Sequence, residues 1–309
     1  MAGRTTRIGL MIPTDFSYCR QNMRGIRRYA LRARSWTFRY GPPSRQMLAA
    51  LKGWGANGII AYLANAEIAA LVCESGLPVV NLSSILEESP VPRVCMDNAL
   101  VGRMVAADYL QRGFEHFAFA GYDDVAYSML RQKAFAKAVE EAGFVCSALS
   151  VPAYRPPVVS TETWQQVEQG LRKWIASLPK PVAVMAANDS RAWSVLEVCR
   201  EEGLRVPEDV AVVGVDNDDL VCELARPPLS SVSVPAERVG FEAAALLDKL
   251  LAGHAAPKGD MELPPAGVMT RQSSDILAIA DPDVAAAIRY IREHLEQTIN
   301  VEDVLAAVP

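Results

Sequence analysis

Three apolar runs in this chain each end in a cluster of acids and amides, and that repeated design restricts the fold more than any other feature. They are Arg93-Val-Cys-Met-Asp97-Asn98, Val182-Ala-Val-Met-Ala-Ala-Asn188-Asp189 and Val210-Ala-Val-Val-Gly-Val-Asp216-Asn217-Asp218-Asp219. Short apolar runs bounded by turn residues read as strands buried on both faces, the signature of a parallel sheet. In an open α/β sheet, ligands bind beyond the carboxyl ends of such strands. The pattern therefore aims carboxylates and amides into a crevice, which suits a polyhydroxylated ligand better than an apolar one.

The alternation continues along the chain. Strand-like segments lie near 7–12, 57–61, 78–82, 116–121, 144–149, 181–187 and 210–215, with helical patterns between them. The segment 98–112 places Leu100, Val101, Met104 and Val105 on one face; 129–142 ends at Gly143; 189–202 starts at Asp189, a possible N-cap, and ends at Gly203. So many βαβ units exceed one small sheet, and two α/β lobes with a cleft between them are expected. The extended stretch Arg226-Pro-Pro-Leu-Ser-Ser-Val-Ser-Val-Pro235 reads as an interlobe crossover, and the helix at 235–252 returns to the first lobe. The expected division is a two-lobed unit over 1–275, with a first lobe of about 7–113 and 234–253 and a second of about 114–228 and 259–272. A short helical segment over 276–309 follows. There, Asp281-Pro282 signals a helix start, and Asn300 with Asp303 opens another short helix.

Several function classes are set aside by composition. The 309 residues carry a net charge of −5, which gives no global attraction to nucleic acid or an anionic membrane. No apolar run reaches the length of a membrane span. The N-terminus passes directly into the strand-like Ile8-Gly-Leu-Met-Ile12, too short for a signal-peptide core, so a cytoplasmic protein is expected. Cys19, Cys73, Cys95, Cys146, Cys199 and Cys222 are scattered, as are His116, His254 and His294; neither set has metal-ligand spacing, and no metal or cofactor is expected. There is no phosphate-binding glycine loop, no dinucleotide fingerprint and no serine elbow, so an enzyme is not the expectation. Charge is nevertheless uneven: up to Arg45 there are ten arginines and a single acid, Asp15. Arg24, Arg27 and Arg28 share a helix face opposite Met23, Ile26 and Ala30, which is either a solvated face or a contact for phosphate or a partner subunit.

The ordered set of features resembles the xylose-responsive transcriptional regulators, which join a LacI/GalR-type sugar module to a C-terminal AraC-type DNA-binding domain. The matching residues are the helix start from Arg20 to Gly25-Ile26, Asp97-Asn98, Arg131 four residues before Phe135, and Asn188-Asp189-Ser-Arg-Ala. Gly214-Val-Asp216-Asn217, Leu229-Ser-Ser-Val and Arg271-Gln-Ser-Ser-Asp275 match as well, and the segment from Asp281-Pro282 to Leu305 resembles the first helices of an AraC-type domain. The resemblance implies a periplasmic-binding-protein-like fold and a monosaccharide effector. It also implies that DNA is read only by an AraC-type domain whose recognition helices lie beyond this chain. A homodimer paired through the first lobe is expected, because paired half-sites need two DNA-reading domains, and the surface around the helix at 98–112 is the expected part of its interface.

Asp189 and Asp216 are the first choices for accepting hydroxyl hydrogen bonds, with N-cap and turn roles as their alternatives. The resemblance implies a ligand contact by Arg131 from the second lobe. Asn188 could donate and accept in the same place or serve as a turn amide. In the first lobe, Asp15, Phe16, Tyr18 and Arg20 follow the first strand, and Arg20 is the best candidate among them. Tyr127 and Trp164 could supply an aromatic wall or lie in the core.

Overall fold

The computed structural model describes residues 5–33, 36–153, 161–276, 282–294, 297–306 and 308. The chain opens with β1 (Thr6–Met11), α1 (Ser17–Ala33), β2 (Trp36–Gly41), α2 (Arg45–Trp54), β3 (Gly58–Ala61), α3 (Ala66–Cys73), β4 (Val79–Asn81) and β5 (Val94–Met96). It crosses to a second lobe for α4 (Asn98–Gln111), β6 (Phe117–Tyr122), α5 (Ala126–Glu141), β7 (Cys146–Val151), α6 (Thr161–Ser177), β8 (Val182–Ala186), α7 (Asp189–Glu201), β9 (Val210–Val215), α8 (Asp219–Leu224) and β10 (Ser230–Ser233). It returns for α9 (Ala236–Leu251) and β11 (Met261–Leu263), then crosses again for β12 (Gly267–Met269). Helices α10 (Pro282–Glu293) and α11 (Val301–Ala306) follow.

The first lobe's sheet runs β2-β1-β3-β4, and a parallel bridge between Asn81 and Arg93 joins it to the β5-β11 pair. The second sheet runs β12-β10-β9-β8-β6-β7, parallel except for β12. The uninterrupted apolar runs have a simple cause. Along β8 and β9, Ala183, Met185, Ala211, Val213 and Val215 enter one core, while Val182, Val184, Val210 and Val212 enter another on the opposite face. A strand between two helix layers has no wet face, so the usual polar alternation disappears.

Each lobe is closed by a tightly crossed helix pair. In the first, α1 lies against α9, and a Cβ on Gly25 or Gly240 would overlap the Glu237 or Asn22 carbonyl oxygen, respectively. In the second, α4 lies against α5, and a Cβ on Gly102 would overlap the Arg131 carbonyl oxygen.

The structure corrects three sequence expectations. Helix α4, assigned to the first lobe, packs in the second lobe's core through Val101, Val105, Ala106 and Tyr109, so it cannot form a first-lobe dimer surface. Tyr109 even donates to the Val184 carbonyl inside that sheet, at 2.9 Å. Residues Met261–Leu263, assigned to the second lobe, pair with β5 in the first. The stretch 226–235, read as a crossover, holds β10, a strand within the second sheet; the crossing comes only after Ser233.

Part of the basic face of α1 is occupied. Arg28 pairs with Glu237 at 2.8 Å, and Arg28 and Arg32 both lie over the Phe241 ring. At the far end, Asn300 and Asp303 cap one another reciprocally, Oδ2 of Asp303 accepting from the Asn300 N–H at 2.9 Å and Oδ1 of Asn300 from the Asp303 N–H at 3.1 Å. Asp281, the expected cap of α10, lies outside the described residues. Among the described residues no helix is long and apolar enough to cross a membrane.

Candidate effector site between the lobes

The carboxyl ends of β6, β8 and β9 in the second lobe converge on one group of buried polar side chains. Arg131, on the first turns of α5, is only 4% exposed. Its Nε donates to Asn98 Oδ1 at 2.9 Å, its Nη1 donates to the Ala187 carbonyl oxygen, and its guanidinium lies 4.6 Å from the centre of the Tyr127 ring. Asn98 is fixed in turn, because its Nδ2 donates to the Met96 carbonyl oxygen at 3.1 Å. The first of the three polar strand ends therefore positions an arginine, while Asp97 caps α4 by accepting from the Leu100 N–H at 2.7 Å.

At the second strand end the cap of α7 is not the residue that the sequence suggested. Asn188, not Asp189, caps α7: its Oδ1 accepts from the Arg191 N–H at 2.9 Å. The same amide reaches Tyr127 Oη through Nδ2 at 3.3 Å, and Tyr122 Oη donates to its Oδ1 at 3.4 Å. Asp189 is 2% exposed, and protein donors occupy both of its oxygens. Ser231 Oγ donates to Oδ1 at 2.5 Å, and the Asp218 N–H donates to Oδ2 at 2.8 Å. Ser231 Oγ also accepts from the Asn217 N–H at 3.0 Å. Asp189 thus holds the 216–218 loop from beneath. Gly214 makes room for it, since a Cβ there would overlap its Oδ1.

The loop so held carries the third strand end. Asp216 and Asn217 adopt φ values of 114° and 49°, a backbone that residues with a side chain rarely take. Such strain persists where surrounding contacts over-determine it, and the Asp189–Ser231 bonds supply those contacts. Burial pushes the Asp216 carboxyl above its ordinary value, the facing Arg131 guanidinium opposes the shift, and Asp218 adds to it. Burial and the Asp216 carboxylate push Asp189 up as well.

The first lobe supplies aromatic rings and backbone. Tyr18, on α1, packs on the cores of both lobes and donates to the Leu82 carbonyl oxygen at 3.2 Å. Tyr62 follows β3 and meets Tyr18 edge-to-face at 6.4 Å. Both hydroxyls are close enough to Asp216 for its charge to raise their pKa, although burial is the larger cause. The N-terminus of α5 has no side-chain cap. Its Ala126 and Tyr127 N–H groups donate across the cleft to the Ile85 and Ser84 carbonyl oxygens, at 2.9 and 3.0 Å. Buried Asn81 shapes that loop, accepting from the Leu63 and Ser83 N–H groups at 3.1 and 2.9 Å.

Asp216, Arg131, Asn188, Tyr127 and Tyr18 therefore meet in one cleft, with Asp189 directly below. The other expected residues sit at its mouth. Asp15, Phe16 and Arg20 are exposed, and Arg20 Nη1 donates to the Thr14 and Asp15 carbonyl oxygens at 2.8 and 2.9 Å. Arg20 and Arg24 of α1 face Asp218 and Asp219 of the second lobe across an open pocket of about 140 Å³. Trp164 lies on α6, with its side chain outside the described residues. Tyr62 and Tyr122 were missed. Each stands at or just after the carboxyl end of a strand, the signal that singled out Asp216. Among the described residues no group of acids, histidines and cysteines could hold a metal ion.

Several known proteins similar to this chain are transcription regulators. Residues 106–274 match the periplasmic binding protein-like domain. The chain is 31% identical to the xylose operon regulatory protein of Escherichia coli (strain K12), over 98% of this chain and 78% of that protein. It is 28% identical to the protein of the same name from Haemophilus influenzae, over 97% of this chain and 78% of that one. Among solved structures, a xylose-binding transcription activator, xylR, superimposes with a TM-score of 0.80 at 28% identity, covering 100% of this chain and 80% of that one. Fold, cleft and sequence agree: the chain belongs to the periplasmic-binding-protein-like family of sugar-sensing transcription regulators.

Proposed function

We propose that this chain binds a monosaccharide, xylose or a close relative, between its lobes. The observation that carries this reading is the facing of Asp216 and Arg131 beneath Tyr18, Tyr62 and Tyr127. A carboxylate accepts from sugar hydroxyls, a guanidinium donates to them, and aromatic faces cover C–H surface. Asp189 acts through Asp216 as a positioning residue, because its own oxygens are occupied by protein donors. Asn188 and Tyr127 share the site, while Asp15, Phe16 and Arg20 border its opening.

Bound effector holds the lobes together and thereby alters DNA binding by an AraC-type domain that begins with α10 and α11. The protein works in the cytoplasm as a homodimer, since paired half-sites call for paired readers. The resemblance of the 281–305 segment and its reciprocal Asn300–Asp303 cap support the AraC assignment. A thermal-shift screen of pentoses, hexoses and sugar acids tests the effector reading. A specific ligand raises the melting temperature by mass action, by a margin that grows with its concentration. No shift with any monosaccharide at millimolar concentration would refute it.

A further inference from the structure

Arg191 is a buried cation that the sugar-binding reading leaves unused. It lies on the first turn of α7, two positions beyond Asp189, so its side chain leaves the helix on nearly the opposite side. Asp189 leans over β9 and β10, toward Asp218 and Ser231. Arg191 leans over β6, and the titratable group facing it is Tyr122, whose hydroxyl bonds to Asn188. The residue is 4% exposed, yet its Nε and Nη2 are buried with no hydrogen-bond partner. Two other charged groups in this wall are held by protein partners: Arg131 donates to Asn98 and to the Ala187 carbonyl oxygen, and Asp189 accepts from Ser231 and the Asp218 N–H.

An unpaired buried guanidinium is a standing cost to the fold, and buried ions ordinarily carry a partner. The two unsatisfied nitrogens share one edge of the guanidinium plane. That edge presents two parallel N–H groups, the geometry that grips two adjacent oxygen acceptors. The N-terminus of the thirteen-residue helix α7 adds positive potential at the same place.

We propose that Arg191 is an effector-binding residue whose Nε/Nη2 edge takes two adjacent oxygens of the ligand, either a vicinal hydroxyl pair or a carboxylate. The ligand then spans the second lobe's wall, with hydroxyls donating to Asp216 at one end and oxygens accepting from Arg191 at the other. Tyr122 and Asn188 lie between these two ends. The inference rests on the cleft being the effector site and specifies which oxygen pattern that site selects.

The test is isothermal titration of D-xylose and of its aldonate, D-xylonate, into the wild-type chain, Arg191→Lys and Arg191→Met. The melting temperature of each ligand-free protein is measured in parallel. The expected result is at least a tenfold loss of affinity in Arg191→Met and a substantial loss in Arg191→Lys, which keeps the charge but not the two-pronged edge. Preference of the wild type for D-xylose assigns the edge to a hydroxyl pair, and preference for D-xylonate assigns it to a carboxylate. Ligand-free Arg191→Met melts no lower than wild type, because an uncompensated buried charge has been removed. Wild-type affinity in both variants would overturn the assignment while leaving the cleft reading intact, as would a lowered melting temperature with unchanged affinity. A wild-type chain that binds neither compound would overturn this assignment, and the cleft reading falls with it only if no other monosaccharide raises the melting temperature either.

Discussion

The two lobes share a plan and differ in what they bring to the cleft. Each has a parallel sheet between helices and one glycine-enabled helix crossing. In the second lobe, that crossing is threaded by a polar bond, Asn98 to Arg131, which places a guanidinium at the floor of the cleft. Asp189 and Ser231 brace the opposite side, where Asp216 is held in a strained turn. In the first lobe, α1 and α9 meet through Gly25 and Gly240, and the groups facing the cleft are the tyrosines Tyr18 and Tyr62. Its charged groups at the mouth, Asp15 and Arg20, stay exposed. Buried, fixed charges discriminate between ligands, since moving them costs more than moving solvated ones. On the proposed reading, the second lobe is the reading surface, and the first is the cover that excludes water from it.

The largest test of this asymmetry is Arg131→Ala. Truncating one member of a buried, hydrogen-bonded charge network costs about 2–5 kcal/mol, so effector affinity should fall about 30-fold or more by calorimetry. Asn98 loses its hydrogen-bond donor and Asp216 the cation that offsets its charge, and the melting temperature should fall as well. Gly240→Ala sharpens the comparison from the other lobe. Its Cβ would overlap the Asn22 carbonyl oxygen, and overpacking of this kind costs about 1–3 kcal/mol. Urea unfolding should show that loss, while the affinity of the folded fraction stays near wild type.

A smaller effect concerns pH. Asp189 and Asp216 have carboxyls raised by burial, so the folded chain holds protons that the unfolded chain has released. Stability contributed at these sites is therefore greatest at acid pH and declines as pH rises from near 3.8 toward about 8. The melting temperature of the ligand-free protein should fall across that range more steeply than that of Asp189→Asn, which has no carboxyl to ionise. Equal slopes would remove Asp189 as the cause. The smallest effect is expected for Arg20→Ala. Its guanidinium ties only exposed loop carbonyls, and surface changes of this kind stay within about 0.5 kcal/mol. A tenfold loss of affinity in that variant would move the reading surface toward the first lobe.

Much of this arrangement was legible in the sequence because β8 and β9 are buried on both faces and end in polar residues. The α/β class and the cluster at Asn188, Asp189 and Asp216 followed from that pattern. What periodicity could not carry was direction. Helix α4 reads as apolar on one face whichever sheet it covers, and only Tyr109 bonding to the Val184 carbonyl shows which. Strand β10 was hidden because Ser230 and Ser231 look like loop residues. Their hydroxyls are consumed by Arg271 and Asp189 inside the sheet. In Asn188-Asp189 either residue could have capped α7, and the choice fell to long-range partners, since Ser231 and the 216–218 loop claim Asp189. Arg131 came from resemblance alone, because nothing in the local sequence around it distinguishes a buried guanidinium from a solvated one.

Parallel titration of the same monosaccharide into Asp216→Asn and Asp15→Asn compares the two lobes most directly. Each exchange removes one carboxylate charge at the cleft, one from the braced strand end of the second lobe and one from the exposed loop of the first. A hydrogen bond to a charged group contributes about 1.5–3 kcal/mol. The expected result is an affinity at least about tenfold weaker in Asp216→Asn, with Asp15→Asn within about twofold of wild type. Wild-type affinity in Asp216→Asn together with a tenfold loss in Asp15→Asn would contradict the assignment of recognition to the second lobe.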